Sequence, residues 1–230
     1  MEEKDVILSS SESDSSSSIL TSATQSQTPQ SSLLRNNNGN NYGSEVNRKA
    51  APVESKLLCT LEELYKGTRR KMRISRSVPD FGKPRTVEEI LKIDIKPGWK
   101  KGTKITFPEK GNQEPGITPA DLIFVVDEKP HSVFKRDGND LVVNQKISLL
   151  EALTGKTIEL ITLDGRYLPI SVIDIVKPGQ ELLVSNEGMP ISKESTKRGN
   201  LKIKFDVTFP TRLTVEQKSD LKKALGASGN

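Results

Sequence analysis

Histidine, cysteine and tryptophan each occur once in these 230 residues, and aromatic residues make up only 4%. A single cysteine, Cys59, excludes an internal disulfide and any cysteine-based zinc site within one chain. The sole histidine, His131, sits in Pro130-His131-Ser132 with no acid, nucleophile or second histidine beside it, so it reads as structural. No apolar stretch approaches the length that crosses a bilayer. The opening Met1-Glu2-Glu3-Lys4-Asp5 is acidic and no apolar run follows that could serve as a secretory core. Arginine is scarce there, which argues against an organellar transit peptide and leaves cytosol or nucleus as the expected compartment. Glycine-rich phosphate loops of the Walker or dinucleotide type are absent, and no constellation supports an enzyme. No cofactor is expected.

Hydrophobic content is 33%, low for a chain of this length. The deficit lies in Met1 to Glu54, where Ser, Asn, Gln and Thr dominate, with runs at Ser15 to Ser18 and Asn36 to Asn38. Such a segment buries too little apolar surface to offset its ordering entropy, so residues 1–54 read as a disordered leader. The remainder states one pattern twice. Thr60-Leu-Glu-Glu-Leu-Tyr-Lys-Gly67 returns as Ser148-Leu-Leu-Glu-Ala-Leu-Thr-Gly155, and Ile95-Lys-Pro-Gly98 as Val176-Lys-Pro-Gly179. Gly111 matches Gly188, and Asp121 to Phe124 matches Asn200 to Ile203. The shared offset of roughly 80 residues is too long for a solenoid repeat and suits a small domain used twice.

The net charge of +5 comes from scattered Lys and Arg and one dense cluster, Arg69-Arg70-Lys71-Met72-Arg73. Without a helix-turn-helix, an aromatic ribonucleoprotein motif or a zinc finger, that excess is a weak nucleic-acid signal.

Periodicity predicts strands over most of the repeat. Lys71 to Ser75, Leu91 to Ile95 and Lys104 to Phe107 alternate, while Asp121 to Val126 is a buried run. Asp140 to Ile147, Thr157 to Leu163, Tyr167 to Ile175 and Asn200 to Phe209 behave likewise, and Asp164-Gly165 predicts a two-residue hairpin. Lys-Pro-Gly at Lys96 and Lys177 predicts a tight turn in each unit. Thr60-x-x-Glu63 and Ser148-x-x-Glu151 are capping boxes that open brief helices ended by Gly67 and Gly155. Thr214-x-x-Gln217 starts a last helix, to Leu225, whose thin apolar stripe gives little hold on its own domain, so that it either docks on a partner chain or frays in solution.

Leu61 to Gly67, Lys96 to Phe107, Phe134 to Gly138, Leu163 to Arg166, Glu187-Gly-Met-Pro190 and Arg198-Gly-Asn-Leu201 together resemble the carboxy-terminal half of DnaJ-type heat-shock co-chaperones, nearest the class B (type II) members. The resemblance spans about Ser55 to Leu225. It implies a mainly β protein of two tandem sandwich-like domains, each with a short helix. The expected divisions are a peptide-binding domain I over 55–130, a β-rich domain II over 131–210 and a dimerisation helix over 211–230, giving a homodimer. The implied partners are unfolded client polypeptides and the acidic Glu-Glu-Val-Asp tail of the seventy-kilodalton heat-shock chaperone. The family's J-domain carries a His-Pro-Asp loop that these residues lack, and the Cys-x-x-Cys module of class A is missing. A J-less competitor of complete co-chaperones is therefore an alternative, and a basic nucleic-acid adaptor a weaker one.

Alternation sets Arg70, Met72 and Ile74 on one face of their strand and Arg69, Lys71 and Arg73 on the other. An extended peptide adding along this strand would be held by main-chain hydrogen bonds while a side chain enters an apolar pocket. The resemblance implies that Leu57, Met72, Ile74 and Phe124 line that pocket; read without it, the four are ordinary sandwich core. Arg70 and Lys71 would meet carboxylates of an acidic tail.

Overall fold

In the computed structural model, residues 4–7, 49–80 and 83–226 are described. The chain is mainly β. The first unit runs β2 (Val53–Cys59), α1 (Leu61–Lys66), β3 (Thr68–Asp80), β4 (Lys83–Ile95), β5 (Lys104–Phe107) and β6 (Leu122–Glu128). The second runs β7 (Phe134–Asp137), β8 (Asp140–Ser148), α2 (Leu149–Thr154), β9 (Lys156–Ile161), β10 (Tyr167–Val172), β11 (Glu181–Val184), β12 (Pro190–Ile191), β13 (Glu194–Arg198) and β14 (Leu201–Thr208). A final helix, α3, covers Val215–Gly226, and a short strand, β1, covers Lys4–Ile7.

The duplication is visible in the strand pairing. β2 lies parallel to β6, with β5 antiparallel on β6's other side; β8 lies parallel to β14, with β11 antiparallel beyond it. The second sheet of each unit is built on an antiparallel hairpin, β3–β4 and β9–β10. Unit two adds β7 to the outer side of β8. Apolar residues from the two sheets of each unit meet in the core: Met72, Ile74, Leu91 and Ile93 with Leu57, Leu122, Phe124 and Val126 in unit one. Burying a Leu or Ile side chain is worth roughly 1.5–3 kcal/mol, and this stripe fixes which face of β3 turns inward.

Local chemistry sets the helices. Thr60 Oγ1 accepts the Glu63 N–H (3.3 Å) while Glu63 Oε2 accepts the Thr60 N–H (2.8 Å), and Ser148 and Glu151 repeat the exchange in α2. Thr214 and Gln217 do the same for α3, which buries none of its residues. Both Lys-Pro-Gly turns form, with Gly98 at φ 79° and Gly179 at φ 77° closing bonds from Trp99 N–H to Lys96 O and from Gln180 N–H to Lys177 O.

Two expectations are corrected. The Asp164-Gly165 connection is longer than a two-residue hairpin: Thr162 N–H to Arg166 O closes a loop of Leu163, Asp164 and Gly165. Leu163 turns into the core, which takes one more residue than a tight turn allows. Within the leader, Lys4–Ile7 is a strand, and the sheet of β2, β6 and β5 begins at Val53 rather than after Glu54. Residues 8–48 of the leader lie outside the described residues.

The units are joined by polar contacts around the first Pro-Gly turn. Arg136 of β7, its side chain almost wholly buried, donates to Trp99 O (2.7 Å), Gly98 O (3.3 Å) and Glu128 Oε1 (2.8 Å). Burial pushes its guanidinium down from the usual arginine range and Glu128 opposes that push. Gly98 has to be glycine twice over, since a Cβ there would also strike the Pro190 carbonyl. His131 is structural, as expected. Its Nδ1 accepts the N–H groups of Val133 and Phe134, so Nε2 carries the proton toward Glu62 Oε1 at 3.1 Å and ties α1 to unit two.

Candidate functional site

The outer edge of β3 is the strand position the fold leaves for pairing. β4 covers one side over the full length, from Thr68 opposite Ile95 to Asp80 opposite Lys83. On the other side β1 pairs in parallel with only four residues, Lys4 with Met72, Asp5 with Arg73, Val6 with Ile74 and Ile7 with Ser75. The expectation of an edge vacant for a foreign strand is thus corrected. A segment of the same chain lies on it, because an edge strand exposes a row of N–H and C=O groups that any extended segment can satisfy. Beyond Met72–Ser75 no other strand pairs with this edge among the described residues, though Ser77 donates its N–H to Asn112 Oδ1 (3.0 Å) and accepts the Gln113 N–H (2.9 Å) there.

The alternation along β3 places Arg70, Met72 and Ile74 inward and Arg69 and Lys71 outward. Leu57, Met72, Ile74 and Phe124 come together, yet all four are at most 3% exposed and belong to the closed core. Phe124 packs edge-on against Phe107, with ring centroids 5.8 Å apart. These four hold β3 against β2 and β6 and present no open pocket in this structure. Arg70 is also corrected in place. Its guanidinium turns inward to both carboxylate oxygens of Glu63 and to Leu58 O at 2.6 Å, so it braces the α1 capping box and faces no solvent.

Electrostatics on the outward face differ along the strand. Arg69 is neutralised by Asp94, its cross-strand partner, at 2.5 Å, and this bond holds the Asp94 carboxyl below the usual carboxylate range. Lys71 stands opposite Lys92, both exposed, and among the described residues neither has an acidic partner. Two like charges directly across a ladder repel, and an incoming carboxylate relieves both. Sequence reading missed Lys92. Its outward position follows from the Leu91–Ile95 alternation, but its place beside Lys71 requires the hairpin register, which is set by the turn far down the strand.

A second concave surface lies between α2 and α3. Leu149, Leu150 and Leu153 of α2, Phe209, Pro210 and Leu213 of the following segment, and Leu221 and Ala224 of α3 enclose an apolar groove of about 700 Å³. Among the described residues no group of three His, Cys, Asp or Glu side chains could hold a metal ion, and no helix is long and apolar enough to cross a membrane.

Comparison with known proteins places this architecture. A family model described as the DnaJ C terminal domain matches residues 53–210, from the start of β2 to just past β14. The chain belongs to the DnaJ family. Human DnaJ homolog subfamily B member 5 is 45% identical over 179 residues, which is 77% of this chain and 51% of that relative. Human DnaJ homolog subfamily B member 13 is 44% identical over 189 residues, covering 81% and 60%. Protein SIS1 of Saccharomyces cerevisiae is 38% identical over 167 residues, covering 72% and 47%. This DnaJ chain thus spans about half the length of the curated relatives it matches. The region they share contains both repeated units and the whole β3 edge, and its class B character agrees with the motifs.

Proposed function

We propose that this DnaJ C-terminal region is the client-holding part of a co-chaperone, a non-enzymatic module that binds extended polypeptide as an added strand along β3. One observation carries this reading: β3's outer edge accepts a strand, in register, beside a lysine pair with no acidic partner among the described residues. Main-chain bonds to an edge are indifferent to sequence and suit unfolded clients. The Lys71–Lys92 pair adds a preference for acidic segments, including the carboxylate-rich tail of a seventy-kilodalton chaperone. Leu57, Met72, Ile74 and Phe124 serve by keeping β3 rigid at the site, and Arg70 by anchoring its first half to α1.

The module works as a homodimer in this proposal, with the α2–α3 groove as the seat for a second copy. Support comes from α3 itself, which buries nothing while exposing Val215 and Leu225 beside a groove rimmed by exposed Leu150 and Phe209. Two edges on one dimer raise the hold on a single long client through effective concentration.

The decisive test for the acidic preference is Lys71→Glu combined with Lys92→Glu, measured by fluorescence anisotropy of a labelled peptide ending in Glu-Glu-Val-Asp. Exposed ion pairs are worth about 0.2–1 kcal/mol each, and reversal adds repulsion at both positions, so affinity falls about tenfold with the denaturation midpoint unchanged. Unchanged affinity removes the tail from the proposal.

A further inference from the structure

Resting on the reading of β3's edge as the acceptor, we propose that Lys4–Ile7 is a tethered occupant of that edge, so that the amino-terminal leader competes with clients for it. The pairing supplies the geometry: four consecutive residues lie parallel to Met72–Ser75, one register step from Lys71. The leader's sequence suits the place. Val6 and Ile7 are strong strand formers.

Domain duplication provides an internal comparison. The corresponding hairpin of unit two, β9–β10, is a two-stranded sheet to which no third strand is added among the described residues. Among the described residues docking is thus seen on the first copy, the one with the basic row.

Length decides the strength. β1 covers four residues of a thirteen-residue strand. So short a ladder binds weakly, and its advantage is the tether: residues 8–52, rich in serine and asparagine, join it to β2. Covalent attachment gives effective concentrations that reach the order of millimolar and fall slowly with the length of the connection. A weak strand held at such a concentration stays docked, yet yields to a client that pairs along more of β3. If it is docked about nine-tenths of the time, the apparent affinity for clients drops about tenfold.

The test keeps the full chain. Val6→Pro removes a ladder N–H from β1. Asp5→Cys with Arg73→Cys, register partners, can be locked by oxidation and released by reductant. The probe is fluorescein-labelled, reduced and carboxymethylated lactalbumin. Val6→Pro is expected to bind it about tenfold more tightly than the parent, and the oxidised double-cysteine form at least tenfold more weakly than its reduced form. Equal affinities across all these forms, with Lys71→Glu/Lys92→Glu still weakening capture, would overturn the tether and leave the edge standing. If the lysine reversals also have no effect on capture, the edge reading fails and takes the tether with it.

Discussion

Replacing Arg70 with methionine separates a bracing role from a ligand-binding one. The substitution keeps the stem and deletes the guanidinium, leaving Leu58 O without its donor and Glu63 without its cation. Breaking a buried ion pair from one side costs about 3–5 kcal/mol. Here the Glu63 side chain retains 28% exposure and its bond from the Thr60 N–H, so water and the cap offset part of the loss. The expected destabilisation is about 2–3 kcal/mol. With a urea slope of about 2 kcal/mol/M, the midpoint falls by about 1 M. Trp99, the sole tryptophan, packs against the core at the junction of the units and reports the transition by fluorescence. Acidic-peptide affinity, measured well below the transition, stays within twofold of the parent. A midpoint that does not move, together with collapse of peptide binding, would refute this reasoning and return Arg70 to the ligand.

Two other perturbations test separate parts of the account. Leu221→Glu places a charge in the α2–α3 groove and yields a monomer by analytical ultracentrifugation, whereas a parent chain that is monomeric at the same concentration refutes that interface. Glu151, whose carboxyl is held at about 2 by Lys156 and the Ser148 N–H and hydroxyl, contributes stability that is fully present above its ordinary value near 4.5 and lost as pH falls through about 2. Glu151→Gln accordingly lowers the melting temperature at neutral pH, and the gap from the parent closes between about pH 4.5 and 2; a gap independent of pH would contradict this assignment.

Much of the fold was legible because its signals are local. The Thr60–Glu63 and Ser148–Glu151 boxes, the two Lys-Pro-Gly turns and the alternation around Met72 each depend on a few neighbouring residues, and all formed as read. Strand extent was less legible. Pro79 and Pro84 masked the outer half of the β3–β4 hairpin, where they stand opposite each other near its tip. The surroundings of the proposed site were less legible than its strand. Alternation grouped Arg70 with Met72 and Ile74, but only tertiary structure brings Glu63 and Leu58 O to its guanidinium, which is why the residue was expected to meet a ligand. The pairing of β1 with β3 bridges more than sixty intervening residues, and no local pattern in a polar leader marks a four-residue strand.

Hydrogen exchange along β3, resolved to single amides by NMR, tests the central claim most directly. On addition of an unfolded client, the edge-facing amides between Arg69 and Ser75 gain protection, and Lys71→Glu with Lys92→Glu diminishes that gain for acidic segments. Protection appearing instead on β9 or around the α2–α3 groove, with β3 unchanged, would contradict strand addition at this edge.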